Sequence, residues 1–241
     1  MSIFTTALRQ IQGHLIVGLD GRQWLIDTGA PASFGTGGDL PLCGQQYEIP
    51  SNYMGFDQSE LSGLIHHPVD GLLGADILNE LDWILNLGEG TLSVSAAPMQ
   101  LVGTVVAIAS FVMGVPIVEI VAAGETEAVF FDTGAPISYL VNTDLSVYPD
   151  CGVQKDFYPG FGEFKKQTHR VPLQVGRLSV ELVCGALPDI LGMTLGLAGT
   201  SGILGNEPMK TERSATSRGG RRSCLHGCAP RLVGGGLRRG L

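Results

Sequence analysis

Cations are scarce in this chain. Acidic and basic side chains together make up 16% of the 241 residues, and 15 Lys and Arg against 23 Asp and Glu give a formal charge of −8. Phosphate binding needs clustered Lys and Arg, so this balance argues against nucleic acid as a partner. Cysteine is sparse and odd in number: Cys43, Cys151, Cys184, Cys224 and Cys228 make five, which argues against a disulfide framework. The opening MSIFTTALRQIQGHL has no basic segment followed by an unbroken apolar one. No secretory signal is therefore expected, and a reducing cytosol is the expected compartment. Long apolar runs are missing too, because the most apolar stretch, 101–123, is interrupted by Gly103, Gly114, Pro116 and Glu119. A membrane span is not expected there. No phosphate-binding loop, dinucleotide glycine fingerprint or serine nucleophile elbow occurs. Cys224-Leu-His-Gly-Cys228 lacks a fourth ligand at zinc spacing, and His66-His67 lies in a loop before Pro68. Neither a metal nor a cofactor is expected.

What is present is enough apolar surface for a core, at 44% of residues, in short β-branched runs punctuated by 35 glycines. The pattern predicts a mostly β chain. Leu15–Leu19 and Gln23–Ile26 flank Asp20-Gly21, a two-residue hairpin signal of the type I′ kind. A longer turn is expected at the corresponding place near Ala122–Glu125. The clearest helix candidate is Gly74–Leu85, where Ile77, Leu78, Leu81 and Ile84 recur at helical spacing behind Asp76. A strand over Leu92–Ser95 and a linker over Ala96–Pro98 follow.

The most informative feature is a repeat. DTGAP occurs at Asp27–Pro31 and again at Asp132–Pro136, each time directly after an apolar run, Trp24-Leu25-Ile26 or Val129-Phe130-Phe131. At the resulting offset of 105 residues, Asp27–Phe56 matches Asp132–Phe161 without a gap at 11 of 30 positions. Beyond DTGAP these include Ser33/Ser138, Tyr53/Tyr158, Gly55/Gly160 and Phe56/Phe161. Upstream, Gly13-His-Leu-Ile-Val aligns with Gly114-Val-Pro-Ile-Val once the second copy is allowed four extra residues, assigned to its turn. Downstream, Asp70-Gly-Leu-Leu-Gly74 matches Ser201-Gly-Ile-Leu-Gly205. The repeat predicts two lobes of about 100 residues each, over 1–98 and 99–209.

The remaining stretch, 210–241, differs in kind. It holds 8 basic residues against the single acid Glu212, a charge of +7, whereas residues 1–209 carry 7 basic against 22 acidic, or −15. Repeat logic calls for a helix and a closing strand after Gly205, like those after Gly74. The basic sequence found instead predicts a disordered or aberrant tail, one that leaves the second lobe without that helix and strand.

Two matched carboxylates at two matched strand ends are what a carboxylate-dyad hydrolase needs. In each DTG the Asp supplies the carboxylate, Thr a short hydroxyl for neighbouring main chain, and Gly lets two loops approach. Over residues 13 to about 206 the chain resembles the pepsin and retropepsin family of aspartic proteases. Ala30 and Ala135 at the fourth position look like the retropepsin version. The resemblance implies an all-β, two-lobe acid-protease fold with an internal pseudo-twofold repeat and a catalytic dyad of Asp27 and Asp132. Thr28, Gly29, Ala30, Thr133, Gly134 and Ala135 would form the supporting loops, and Thr28 and Thr133 would cross-brace them.

Ala at the fourth position removes a possible donor to each carboxylate, so activity at mildly acid pH is expected, and an optimum below about pH 3 is not. The family's flap falls near Tyr53-Met-Gly-Phe56 and Tyr158-Pro-Gly-Phe161. The longer second copy predicts one long flap, from the second lobe, with Tyr158, Gly160, Phe161 and Gly162 near its tip and meeting substrate. Pro31 and Pro136 stand where retropepsins place an acid that holds the substrate backbone, so the grip on substrate must differ.

The expected function is endopeptidase cleavage of extended or unfolded protein substrate by a monomer. The alternative is a catalytically silent peptide-binding or assembly module with the same fold. A third arrangement pairs two copies of the first lobe through Asp27.

Overall fold

Residues 3–100, 104–158, 162–210, 212–216 and 222–227 are described in a computed structural model, and they are mostly β. The first half runs β1 (Phe4–Ile11), β2 (His14–Leu19), β3 (Arg22–Ile26), β4 (Phe34–Gly35), β5 (Gly38–Leu42), β6 (Gln45–Ile49), β7 (Asn52–Tyr53) and β8 (Phe56–Asp57). Helix α1 (Gln58–Leu64), β9 (Gly71–Leu73), α2 (Ala75–Leu78), β10 (Asp82–Asn86) and β11 (Thr91–Ser95) complete it. The second half begins with β12 (Thr104–Val112), β13 (Val115–Ala122), β14 (Glu125–Phe131) and β15 (Ser138–Leu140). The hairpin β16 (Asp150–Tyr158) and β17 (Gly162–Val175) follows, then β18 (Leu178–Gly185), α3 (Asp189–Leu197) and β19 (Gly202–Leu204). A 3₁₀ turn (Glu207–Lys210), β20 (Glu212–Thr216) and β21 (Arg222–Gly227) come last.

The four extra residues of the second half are not in the turn where they were expected. Ala122 pairs directly with Glu125, so Ala123-Gly124 is a two-residue turn, with φ of 52° and 87°. Asp20-Gly21 in the first half has the same form, at 50° and 74°. The extra length lies in the strands: β13 and β14 have 8 and 7 residues, where β2 and β3 have 6 and 5. A type I′ turn matches strand twist, so lengthening both arms of a hairpin leaves its turn unchanged.

Each half threads a short strand beside the one that ends in DTG. β9 runs parallel to β3 and antiparallel to β4, and β19 runs parallel to β14 and antiparallel to β15. The flanking glycines allow this crossing. A Cβ on Gly71 would lie 2.4 Å from the Phe34 carbonyl oxygen, and one on Gly202 2.4 Å from that of Tyr139. Matched backbone bonds then fix the loops: Asp27 N–H donates to Leu73 O at 3.0 Å and Asp132 N–H to Leu204 O at 2.9 Å.

The expected helix over Gly74–Leu85 is only the single turn α2. From Asp82 the chain is β10, because Trp83 and Leu85 gain sheet partners in β11 and bury at 2% and 4% exposure. Strand pairing there overrides the helical spacing. Two helices were not expected. Helix α1 is closed by a capping box, in which Asp57 accepts from Ser59 and Glu60 N–H while Glu60 reaches back to Asp57 N–H. Helix α3 buries Leu191 and Leu195.

The tail also departs from expectation. Its two described stretches, 212–216 and 222–227, are paired strands rather than a disordered arm. They complete a sheet in the order β1-β11-β10-β20-β21-β12, with antiparallel pairing throughout. β10 and β20 meet at its centre, Ile84 opposite Ala215, and the order on either side is the same in the two halves. The 3₁₀ turn at 207–210 takes the place of α2, β20 that of β10, and β21 that of the closing strand β11.

One large core of buried residues runs through both halves, from Leu15 and Trp24 to Val129 and Leu204. Both indoles within it bond to main chain, Trp24 to Leu19 O and Trp83 to Leu78 O. Two satellite clusters flank the DTG loops, one holding Phe34, Leu61 and Leu72, the other Ile137, Leu191 and Ile203. No helix among the described residues is long and apolar enough to cross a membrane.

Candidate active site

β3 and β14 deliver Asp27 and Asp132 to one point. Thr28 Oγ1 donates to Phe131 O at 2.7 Å and accepts Thr133 N–H at 3.0 Å. Thr133 Oγ1 donates to Ile26 O at 3.0 Å and accepts Thr28 N–H at 3.0 Å. Each hydroxyl thus donates to and accepts from the opposite loop, satisfying four main-chain groups at the junction of the halves. Serine would serve as donor and acceptor equally. Thr133 is 1% exposed.

Within each loop the carboxylate is held by its own turn. Asp27 Oδ1 accepts from Gly29 N–H at 2.8 Å and Ala30 N–H at 3.0 Å; Asp132 Oδ1 accepts from Gly134 N–H at 2.8 Å and Ala135 N–H at 3.2 Å. The alanines thus contribute a backbone donor and no side-chain one. Each carboxylate also rests on the other loop's glycine, where a Cβ on Gly29 would lie 2.3 Å from Asp132 Cγ and one on Gly134 2.4 Å from Asp27 Cγ. No residue with a side chain fits at either place.

Burial and the adjacent Asp132 carboxylate, with which it shares a hydrogen bond, hold the Asp27 carboxyl well above the ordinary range. Burial also raises Asp132, against the lowering pull of the bond from Asp27 and of backbone donors. Two like charges this close cannot both form at little cost, so one proton stays with the pair. The pair titrates as a unit, with its upper step raised.

Serines behind the loops close the arrangement. Ser33 Oγ accepts Gly74 N–H at 2.9 Å and donates to Asp76 Oδ1 at 2.6 Å, while Ser138 Oγ accepts Gly205 N–H at 3.1 Å. Their identity in the repeat was visible; their role needed β9 and β19 to be placed. The acids that follow have diverged. Asp76 serves the Ser33 loop, but Glu207 accepts from Val183 N–H at 2.6 Å and pairs with Arg170 at 3.3 Å.

In the second half β16 and β17 form a long hairpin, while the matching place in the first half is the two-residue ladder β7–β8 around Met54-Gly55. Tyr158 ends β16 and Gly162 begins β17; Gly160 and Phe161 lie outside the described residues. Partial burial first, then the fields of Asp132, Asp27 and Tyr53, raise the Tyr158 phenol. Phe157 packs on the first half's cluster of Phe34, Leu61 and Leu72, as Ala30, Tyr53 and Phe56 also do. Asp156 faces the other way and accepts from the Tyr139 hydroxyl, and burial raises its carboxyl. Nothing in the sequence marked Asp156 or Tyr139, because their pairing depends on how the hairpin folds back.

Among the described residues no group of His, Cys, Asp and Glu could hold a metal ion. His66 and His67 follow α1, and Cys228 lies outside the described residues. No family model matches the chain, and no curated protein does either.

Proposed function

We propose that the chain is an aspartic endopeptidase with a two-lobe, pepsin- and retropepsin-like fold, acting as a cytosolic monomer on extended or unfolded protein. The observation that carries this reading is the reciprocal threonine cross-brace holding two carboxylates against each other's glycine. Geometry of that kind positions a pair of acids about one proton. In the reaction, the ionised carboxylate takes a proton from a water lying between the two, and the oxygen attacks the peptide carbonyl. The protonated carboxyl hydrogen-bonds the carbonyl oxygen as it gains charge, stabilising the tetrahedral intermediate. Collapse breaks the C–N bond, and the departing amine takes a proton from the dyad, which returns to its starting state. Extended substrate would pair with the main chain of the β16–β17 hairpin as an added strand. Closure of that hairpin would exclude bulk water.

The test is cleavage of a peptide library from acid to neutral pH by the chain and by Asp27→Asn and Asp132→Asn. Each variant should lose at least about a thousandfold in kcat/KM while remaining folded. Residual activity of one variant near the parent level would remove the dyad. The packing of Phe157 on the first half favours the second reading, a silent peptide-binding module. Peptide binding without cleavage by the folded parent chain would select it.

A further inference from the structure

The two catalytic loops match in their cross-braces and differ in what backs them. The turn between β1 and β2 reaches from the first half to the Asp132 loop, where Pro136 packs on Gly13. Asn206 Nδ2 ties the two together, donating to Gly13 O at 2.8 Å and Thr133 O at 3.0 Å. The next residue, His14, is 5% exposed, and its Nδ1 lies 3.0 Å from Gly134 O. A carbonyl oxygen only accepts, so Nδ1 carries the hydrogen. Burial lowers the imidazole pKa against the opposing effect of that bond, which favours the neutral ring. The N–H of the same peptide as Gly134 O, that of Ala135, donates to Asp132 Oδ1 at 3.2 Å, so this peptide is held on both sides, and Gly134 N–H donates to the same oxygen. The same ring meets Phe157 of β16 at 6.0 Å between centroids and 44° between planes. In the aligned repeat the residue at this place is Val115, whose aliphatic side chain has no donor for the Asp27 loop.

We propose that His14 is a positioning residue that links the β16–β17 hairpin to the Asp132 loop: its ring bears on Phe157 while Nδ1–H fixes Gly134. The link deepens the peptidase reading and rests on it for its effect on turnover, since closure of a single hairpin would then tighten one of the two carboxylates. The mechanical coupling does not require that reading.

Two substitutions in the full chain separate the two contacts. His14→Asn keeps an N–H donor close to the Nδ1 position and removes the ring; His14→Phe keeps a ring and removes the donor. Hydrogen exchange followed by mass spectrometry reads the segments 129–136 and 150–158, with the β5–β6 hairpin as reference. His14→Phe should speed exchange in 129–136 about tenfold, the loss of one hydrogen bond, and leave 150–158 near the parent rate. His14→Asn should do the reverse, and Phe157→Leu should behave like His14→Asn if either His14 variant fails to fold. With a cleaved peptide, His14→Phe should lower kcat about tenfold at similar KM, and His14→Asn should chiefly raise KM. Equal acceleration throughout the chain in these variants, or none in either segment, overturns the link. So does cleavage with parent kcat and KM in both His14 variants. The expected exchange pattern in a chain that cleaves nothing would support the link and end the peptidase reading.

Discussion

Thr133 and Asp27 show how much of the site rests on single atoms. Replacing Thr133 by Val keeps its shape and removes the hydroxyl, which leaves Thr28 N–H and Ile26 O without partners inside the junction. The cost of such orphaned groups is about 2 kcal/mol, or a fall in Tm of roughly 4–8 °C for a chain of this size. Calorimetry on Thr133→Val checks this, and an unchanged Tm would mean that the brace contributes nothing. The dyad gives a second prediction, with its sign set by the raised Asp27 carboxyl. A carboxyl whose pKa is higher folded than unfolded gives stability that is fully present below the unfolded value, near about 4, and is lost as pH rises through the folded value. Asp27→Asn stays neutral, so in urea titrations it should match the parent near about pH 4 and exceed it near about pH 8. A variant that falls further behind the parent as pH rises would contradict the raised carboxyl.

Among elements, the β16–β17 hairpin divides into two parts. Residues 168–175 of β17 pair with β18, and 173–175 also with β13, whereas the outer ladder from Gln154 to Lys166 pairs only within the hairpin. Joining Val153 to Gln167 through an Asn-Gly turn should therefore leave the core standing. Tm should fall by no more than about 5 °C, a loss of one or two kcal/mol, while cleavage should drop at least about a hundredfold for want of the covering arm. Loss of folding in the shortened chain would show that the fold needs the packing of Phe157 on the first half or the Asp156–Tyr139 contact within the second. At the same scale, the expected helix over Gly74–Leu85 is one turn of helix followed by a strand. Helical spacing at Ile77, Leu78 and Leu81 is real, and all three are buried, yet they serve one turn of helix and the approach to a strand. For helix α1 the local signal is the capping pair Asp57 and Glu60.

For the whole molecule, the central sheet makes the tail a structural member. β20 pairs with β10 and β21 with β12, so a chain ending at Lys210 would expose two unpaired edges at the junction of the halves. Such a chain should self-associate and unfold at lower temperature than the parent, as light scattering and a melting curve would register. A monomeric truncated chain with the parent's Tm would show that the pairing is dispensable.

The sequence by itself determined the mostly β character, the repeat, and the placement of Asp27 and Asp132 at equivalent strand ends, because those are written in local apolar runs, turn residues and a fixed offset. The matched serines were also in plain view, without their purpose. Only the tertiary structure decided the rest: that Thr28 and Thr133 reach across to each other, that extra residues lengthen strands instead of a turn, and that basic sequence after Lys210 becomes sheet. It also decided that His14, Asn206, Asp156 and Tyr139 gather around the Asp132 loop. Local patterns report which face of a segment is apolar. They carry no information about which distant donor will meet which acceptor, since that depends on packing between segments up to 196 residues apart, the separation of Gln10 and Asn206.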